Sequence, residues 1–116
     1  MENIKIPKSY LFILNQLFEI DKKVEELQEA NSIQRNVDKL KSYFETELLL
    51  DGQGLIYHNP IGEKYNVTRT DCEASISGSS HENLEIIEVL KPIIYIKYSN
   101  TKMIIQKAIV IVQAKS

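Results

Sequence analysis

The spacing of apolar residues changes once along this 116-residue chain, at the segment Asp51-Gly52-Gln53-Gly54. Before this segment, apolar residues recur every three or four positions, which is the period of an amphipathic α-helix. After it, they fall in short runs rich in β-branched residues, which is typical of β-strands. The change predicts an α+β protein, with a helical hairpin in residues 1–50 and a small all-β sandwich or barrel of five or six short strands in residues 51–116.

Two helices are predicted before the glycine-rich segment. Pro7 can open the first one, and the side-chain oxygens of Asn31 and Ser32 can cap the second, with Gln34 placed three residues after Asn31. The second helix is expected to end at the glycine-rich segment, since glycine accepts the left-handed conformation that terminates helices. Because Asn-Ser is a weak helix breaker, one unbroken helix through residue 50 is the alternative.

The apolar stripes of these two helices need a surface to cover them, and the acidic residues such as Asp21 lie off the stripe. Two helices folded on each other leave one side apolar, which a second copy could cover to form a four-helix bundle. A homodimer is therefore expected, and packing of the stripes on the β module of the same chain is the alternative. The residues expected at the dimer interface are Leu14, Leu17, Phe18, Val37, Leu40 and Phe44.

Composition and charge argue against several classes of function. The net charge is only −2 and is evenly distributed, so that no basic face for nucleic acid is expected. The apolar run at residues 10–14 is too short for a membrane span or a signal-peptide core. The single cysteine, Cys72, suits a reducing compartment and is expected to be a half-buried strand residue. We therefore expect a cytoplasmic protein without a membrane partner.

No group of residues has the spacing of a catalytic or cofactor site. His58 and His81 have no Cys, His or carboxylate at the spacing of metal ligands. The serines near His81 lie in a segment rich in Ser, Gly and Asn, which is typical of a loop. The glycine-rich segment lacks the pattern of a phosphate-binding loop. We therefore expect no enzyme activity, no metal, no cofactor and no small-molecule substrate.

Five short segments follow one another in an order and spacing that matches one protein family. They are Gly54-Leu55, Pro60-Ile61-Gly62-Glu63-Lys64-Tyr65-Asn66-Val67, Glu73-Ala74, Ile87-Glu88-Val89-Leu90 and Gln106-Lys107-Ala108-Ile109-Val110-Ile111-Val112. Together they resemble the β module of GrpE, the nucleotide exchange factor of DnaK-type chaperones. The two predicted helices are similar to the short hairpin that precedes this module in the family, so the resemblance spans nearly the whole chain.

The resemblance to GrpE implies a co-chaperone that binds the nucleotide-binding domain of a DnaK-type chaperone through its β module and promotes ADP release. This activity requires only tighter binding to the open state of the chaperone than to the closed one. The resemblance implies that the residues in contact with the chaperone are Tyr65, Val67, Leu90, Lys102, Met103 and Val112. Leu90 and Val112 could instead be core residues.

Several positions depart from the family pattern. Asn66-Val67 replaces Asp-Pro, and Gln106 replaces an arginine. Lys102 is the nearest charge to the position of another arginine, and lysine lacks the planar fork of that side chain. The hairpin at residues 93–105 is longer, and no segment matches the family's long N-terminal coiled-coil helix. These departures favour the alternative, a protein-interaction or assembly module with the same fold and no exchange activity.

Overall fold

A computed structural model describes residues 6–27 and 32–115 of the chain. These residues form two helices, α1 (Lys8–Glu26) and α2 (Ile33–Thr46). The strands that follow are β1 (Gln53–His58), β2 (Lys64–Tyr65), β3 (Cys72–Ser77), β4 (Leu84–Lys91), β5 (Ile93–Tyr98), β6 (Thr101–Gln106) and β7 (Ala108–Ala114). The predicted α+β class is confirmed, with a helical pair before a β module. The described part of that module has seven strands instead of five or six.

The helical segment is divided into two separate helices. α1 follows Pro7, as predicted, and ends at Glu26, because Leu27 is extended with φ −74° and ψ 131°. Ser32 precedes α2 but forms no capping hydrogen bond through its side chain, so its predicted capping role is wrong. Asn31 lies outside the described residues. The alternative of one unbroken helix through residue 50 is therefore wrong.

The glycine-rich segment turns the chain from α2 into β1. α2 ends at Thr46, and Asp51 and Gly52 then have positive φ angles of 63° and 73°, in the left-handed region that favours glycine. Gly54 lies directly against the end of α2, since a Cβ atom at this position would be 1.9 Å from the carbonyl oxygen of Glu45. The absence of a side chain at Gly54 permits this close approach of helix and sheet.

The strands form two sheets. Sheet A has the antiparallel order β1-β5-β6, and sheet B has the order β2-β4-β7-β3, in which β3 and β7 are parallel. Only Pro92 separates β4 from β5 and only Lys107 separates β6 from β7, so residues 84–114 form one long hairpin that passes through both sheets. β7 lies between two other strands, as its apolar residues on both faces predict.

Both helices pack on the β module. Phe18 joins an apolar cluster made by sheet B and Ile93, and a second cluster joins the helices to residues of sheet A such as Leu55 and Ile94. Five of the six residues expected at a dimer interface are buried in these clusters: Leu14, Leu17, Phe18, Val37 and Phe44. Their assignment to a dimer interface is wrong, because the β module of the same chain already covers them. Leu40 is 50% exposed and remains on the surface.

Substitution of Gly54 by alanine should destabilise the protein more than the same substitution at Gly52. The added Cβ atom at position 54 would collide with the backbone of Glu45, whereas at position 52 it meets no atom within 4 Å. The Gly52→Ala variant then loses only about 1 to 2 kcal/mol, for its positive φ. We expect Gly54→Ala to lose more than about 3 kcal/mol in urea unfolding followed by circular dichroism. An equal or smaller loss at Gly54 would contradict the contact between α2 and β1.

Candidate functional site

β4 contains two β-bulges, and each of them exposes an apolar side chain. The pairing of β4 with β7 shifts by one residue at Ile87 and again at Leu90. These two side chains are 43% and 48% exposed, although the residues beside them, Ile86 and Val89, are buried in the core. Bulges are common next to functional sites, where they redirect a side chain. The two bulges therefore mark the outer face of β4 as a candidate binding surface.

Further apolar side chains surround the two bulges. Ile61 is exposed and lines the same cavity of about 410 Å³ as Ile87. Ile109 and Ile111 of β7 are half-buried and lie next to β4 on the outer face of sheet B. We refer to Ile61, Ile87, Leu90, Ile109 and Ile111 as the bulge surface. A group of apolar side chains that are exposed or half-buried at the surface is typical of a site that binds another molecule.

α1 borders the bulge surface and is attached to β4. The Nζ atom of Lys22 donates a hydrogen bond of 3.0 Å to the carbonyl oxygen of Val89, and it lies 5.0 Å from the centre of the Phe18 ring. Glu25 and Glu26 of α1 line the same cavity as Ile87. The apolar surface therefore has a charged rim, which is the usual arrangement at protein–protein interfaces.

The loop that carries Ile61 is attached to β4 by backbone hydrogen bonds. The N–H of Gly62 donates to the carbonyl oxygen of Ile86, and the N–H of Ile86 donates to the carbonyl oxygen of Glu63, both at 2.9 Å. Gly62 has a φ angle of 82°, which glycine adopts without strain and which directs the chain back toward β2. These bonds hold Ile61 beside Ile87.

An ionic network fixes the same loop from its other side. Arg69 donates to Asp71 from Nε at 2.6 Å and from Nη2 at 3.3 Å, and its Nη2 also donates to Glu63 at 2.6 Å. A fourth bond, from Nη1, reaches the carbonyl oxygen of Lys64 at 2.9 Å. The Nε2 atom of His58 lies 2.5 Å from the second carboxylate oxygen of Glu63. The planar guanidinium of Arg69 thus holds two carboxylates and one carbonyl group in place.

The network changes the pKa values of its members. The hydrogen bonds from Arg69 lower the pKa of Asp71, although burial opposes this effect. Burial by itself would raise the pKa of Glu63, but hydrogen bonds from Arg69 and His58 outweigh it and lower that pKa. The Cys72 thiol is buried beside this network, and burial raises its pKa to about 11. Cys72 is therefore a neutral strand residue at neutral pH and not a reactive thiol.

A second polar cluster joins α1, α2 and β1 around the buried carboxylate of Asp21. The hydroxyl of Tyr57 donates to Asp21 at 2.7 Å, and the side chains of Lys41 and Gln34 each donate to it at 3.4 Å. Burial, together with the hydrogen bond to Asp21, raises the pKa of Tyr57. Because the carboxylate of α1 is bonded to two side chains of α2 and one of β1, we assign this cluster to the attachment of the helices to the sheet.

The residues expected to contact a chaperone do not form a single surface. Leu90 lies on the bulge surface, and Val67 is exposed in the loop after β2. Tyr65 is partly buried against the cluster that contains Phe18. Val112 is 0% exposed, so it is a core residue and cannot contact a partner. The assignment of Val112 to a contact surface is therefore wrong.

The other two expected residues lie at the β5–β6 hairpin, on sheet A. Lys102 is exposed, and its Nζ atom is 4.7 Å from the centre of the Tyr95 ring, a cation–π distance. Met103 is partly buried against the apolar cluster beneath the helices. These residues are on a different sheet from Leu90, so the expected set is divided between the two sheets.

Comparison with models of protein families, with curated proteins and with solved structures found no match for this chain. Among residues 6–27 and 32–115, no three His, Cys, Asp or Glu side chains are grouped as they would be to hold a metal ion. Neither of the two described helices is both long and apolar enough to cross a membrane.

Replacement of Arg69 by alanine should reduce both the stability of the protein and its sensitivity to acid. In the folded protein, the lowered pKa values of Asp71 and Glu63 mean that their ionised forms stabilise the fold above about pH 4. This contribution is lost as the pH falls through the lowered pKa values of the folded state. We expect the free energy of unfolding of Arg69→Ala at pH 7 to be about 1 to 3 kcal/mol lower than that of the wild type.

The free energy of unfolding of the wild type should fall as the pH drops below about 4, and that of Arg69→Ala should fall less. The measurement is urea unfolding at a series of pH values. Arg69→Lys is the matched control, because it keeps the charge but not the planar fork, and it should give an intermediate result. Equal slopes for Arg69→Ala and the wild type would contradict the role given to this network.

Proposed function

We propose that this chain is a GrpE-like co-chaperone, whose β module binds the nucleotide-binding domain of a DnaK-type chaperone and promotes release of ADP. The observation that carries this proposal is the bulge surface, where Ile87 is exposed beside Ile61 at one bulge and Leu90 is exposed at the other. Leu90 is also one of the residues that, according to the resemblance to GrpE, contact the chaperone. The protein acts by binding and performs no covalent chemistry.

The bulge surface can contribute a modest free energy of binding. Removal of apolar area from water contributes about 25 cal/mol per Å², so burial of a half-exposed Ile or Leu side chain contributes about 1 kcal/mol. Several such side chains and a charged rim suit a contact that forms and dissociates repeatedly. An exchange factor needs a contact of this kind, because it must leave the chaperone after ADP has been released. Preference for the open state of the chaperone then shifts the population toward that state.

A second candidate function is a protein-interaction or assembly module without exchange activity. Val112 lies in the core, Met103 lies beneath the helices and Lys102 is placed over Tyr95, so that only part of the expected contact set faces the side of Leu90. These positions favour a contact surface that differs from the one used by the GrpE family. The two candidates differ in one property, which is the acceleration of nucleotide release.

We also propose that the protein forms a homodimer. The buried stripes of the helices cannot form the contact, because the β module covers them. Leu40 and Ile20 are exposed on the two helices, but exposed apolar residues also occur elsewhere on the surface, so their exposure does not identify the dimer contact.

We also place the protein in the cytoplasm, where DnaK-type chaperones act and where a single thiol such as Cys72 stays reduced.

The wild-type protein should accelerate the release of a fluorescent ADP analogue from the DnaK-type chaperone of the same organism. The measurement is the fluorescence decay after addition of excess unlabelled nucleotide, with and without the protein. Acceleration supports the co-chaperone. Binding without acceleration supports the interaction module instead, and a folded protein that neither binds nor accelerates release would contradict the proposed partner.

The double substitution Ile87→Asp and Leu90→Asp should weaken binding to the chaperone at least about tenfold, because two carboxylates would be placed in an apolar contact. The control is Leu50→Asp, since Leu50 is an apolar residue before β1 that is 81% exposed and lies outside the bulge surface. Affinity is measured by biolayer interferometry, and circular dichroism establishes that each variant is folded. Equal affinity of the double variant and the control would contradict the bulge surface as the contact.

A further inference from the structure

The edges of the two sheets are protected to different degrees. An unpaired strand edge presents N–H and C=O groups to other strands, and proteins protect such edges with a covering element, charges, bulges or very short strands. α2 packs against β1, and β2 has only two residues. β6 has Lys102 at its start, and its pairing with β5 contains a register shift. Among the strands that the structure describes, β3 is the edge strand with the weakest protection, because it has six residues, no register shift against β7 and one charged residue, Glu73.

β3 is long, regular and open. Its six residues pair with β7 without any register shift, and no other described strand pairs with it. Glu73, Ser75 and Ser77 are exposed and alternate with Ala74 and Ile76, which share their face with buried residues of β7. Ile76 is 36% exposed although it lies on the apolar face of the sheet. The core at this edge is therefore incompletely covered.

The backbone of β3 directs alternate residues toward the open edge. The carbonyl oxygen of Asp71 accepts a hydrogen bond from the N–H of Ala108 at 2.9 Å. In a parallel ladder every second residue bonds to the same neighbour, so Ser75 also bonds to β7. Ala74 and Ile76 then direct their N–H and C=O groups away from β7. These are the groups that a further strand would bond to.

The geometry points to a homodimer in which β3 pairs antiparallel with β3 of a second copy. The two-fold axis passes at Ser75, and the two copies of sheet B become one continuous sheet of eight strands. This inference rests on the homodimer in the proposed function and is independent of the chaperone. In this arrangement Ala74 exchanges backbone hydrogen bonds with Ile76 of the partner subunit, and Glu73 lies opposite Ser77 of the partner subunit.

A second copy suits this edge because the sequence of β3 is self-complementary. Antiparallel pairing about Ser75 keeps all apolar residues on one face and all polar residues on the other. The small Ala74 meets the larger Ile76, and no like charges lie opposite each other. Pairing centred on Glu73 would bring two carboxylates together, so the charge selects against that register. Two-fold contacts between identical surfaces are also the commonest arrangement of homo-oligomers.

Cysteine cross-linking tests the register. In the proposed pairing, Ser75 lies opposite its own copy in a non-hydrogen-bonded pair, with Cα atoms about 4.5 Å apart, so Ser75→Cys should form a disulfide on mild oxidation. The matched control is Ser77→Cys, since that residue shares the exposed face but lies about 13 Å from its copy. A covalent dimer is expected only for Ser75→Cys on a non-reducing gel. No dimer for Ser75→Cys, or an equal yield for Ser77→Cys, would overturn the proposal.

Sedimentation velocity tests the dimer itself. The wild type should sediment as a dimer at about 100 μM, a concentration at which transient homodimers associate. Ile76→Lys should sediment as a monomer, because it adds a charge to the strand edge, and Leu40→Lys on α2 should remain a dimer. A monomeric wild type, a dimeric Ile76→Lys or a monomeric Leu40→Lys would each overturn the inference.

A second variant, Ala74→Pro, removes the N–H that faces the open edge while leaving the ladder with β7 intact. It should also sediment as a monomer, and circular dichroism establishes that both edge variants are folded. ADP release by these variants reports on the chaperone contact separately, since Ala74 and Ile76 lie outside the bulge surface. Failure of the dimer and failure of the proposed function are therefore distinguishable.

Discussion

Burial of one face of each helix against the β module is the interaction on which the rest of this structure depends. Phe18 is the central residue, because its ring packs edge-on to Tyr57 at 5.8 Å and joins the apolar cluster of sheet B. Each fully buried side chain of this size contributes about 1.5 to 3 kcal/mol. Tyr57 also donates to Asp21, so that apolar packing and a buried hydrogen bond hold the helices at the same place. The helices are therefore part of the core and are not available as a free bundle.

The sequence predicted those features that arise from local patterns. The change of period at the glycine-rich segment separates helix from strand, and the apolar residues of β7 on both faces predict its central position. Features that depend on distant pairs were not predicted. Asp21 lies off the apolar stripe but is buried, because Tyr57, Lys41 and Gln34 from other elements bond to it.

The candidate site likewise has residues that the sequence predicts and residues that only the tertiary structure brings together. Leu90 was expected to contact a partner, and its exposure follows from a bulge that depends on the register of β4 against β7. No local pattern distinguishes it from Val112, which is apolar and also within a strand but points into the core. Ile87 and Ile61 were missed as site residues because both read as ordinary apolar positions. The bulge surface results from the two bulges and from the loop fixed by Arg69, and both are tertiary features.

We propose that the β module binds its partner through the bulge surface. The most direct test is a titration of the ¹⁵N-labelled protein with the nucleotide-binding domain of the DnaK-type chaperone, followed by two-dimensional NMR. We expect the largest changes in amide resonances at Ile61, Ile87 and Leu90, with little change at residues of α2. Changes confined to the helices or to the β5–β6 hairpin would contradict it.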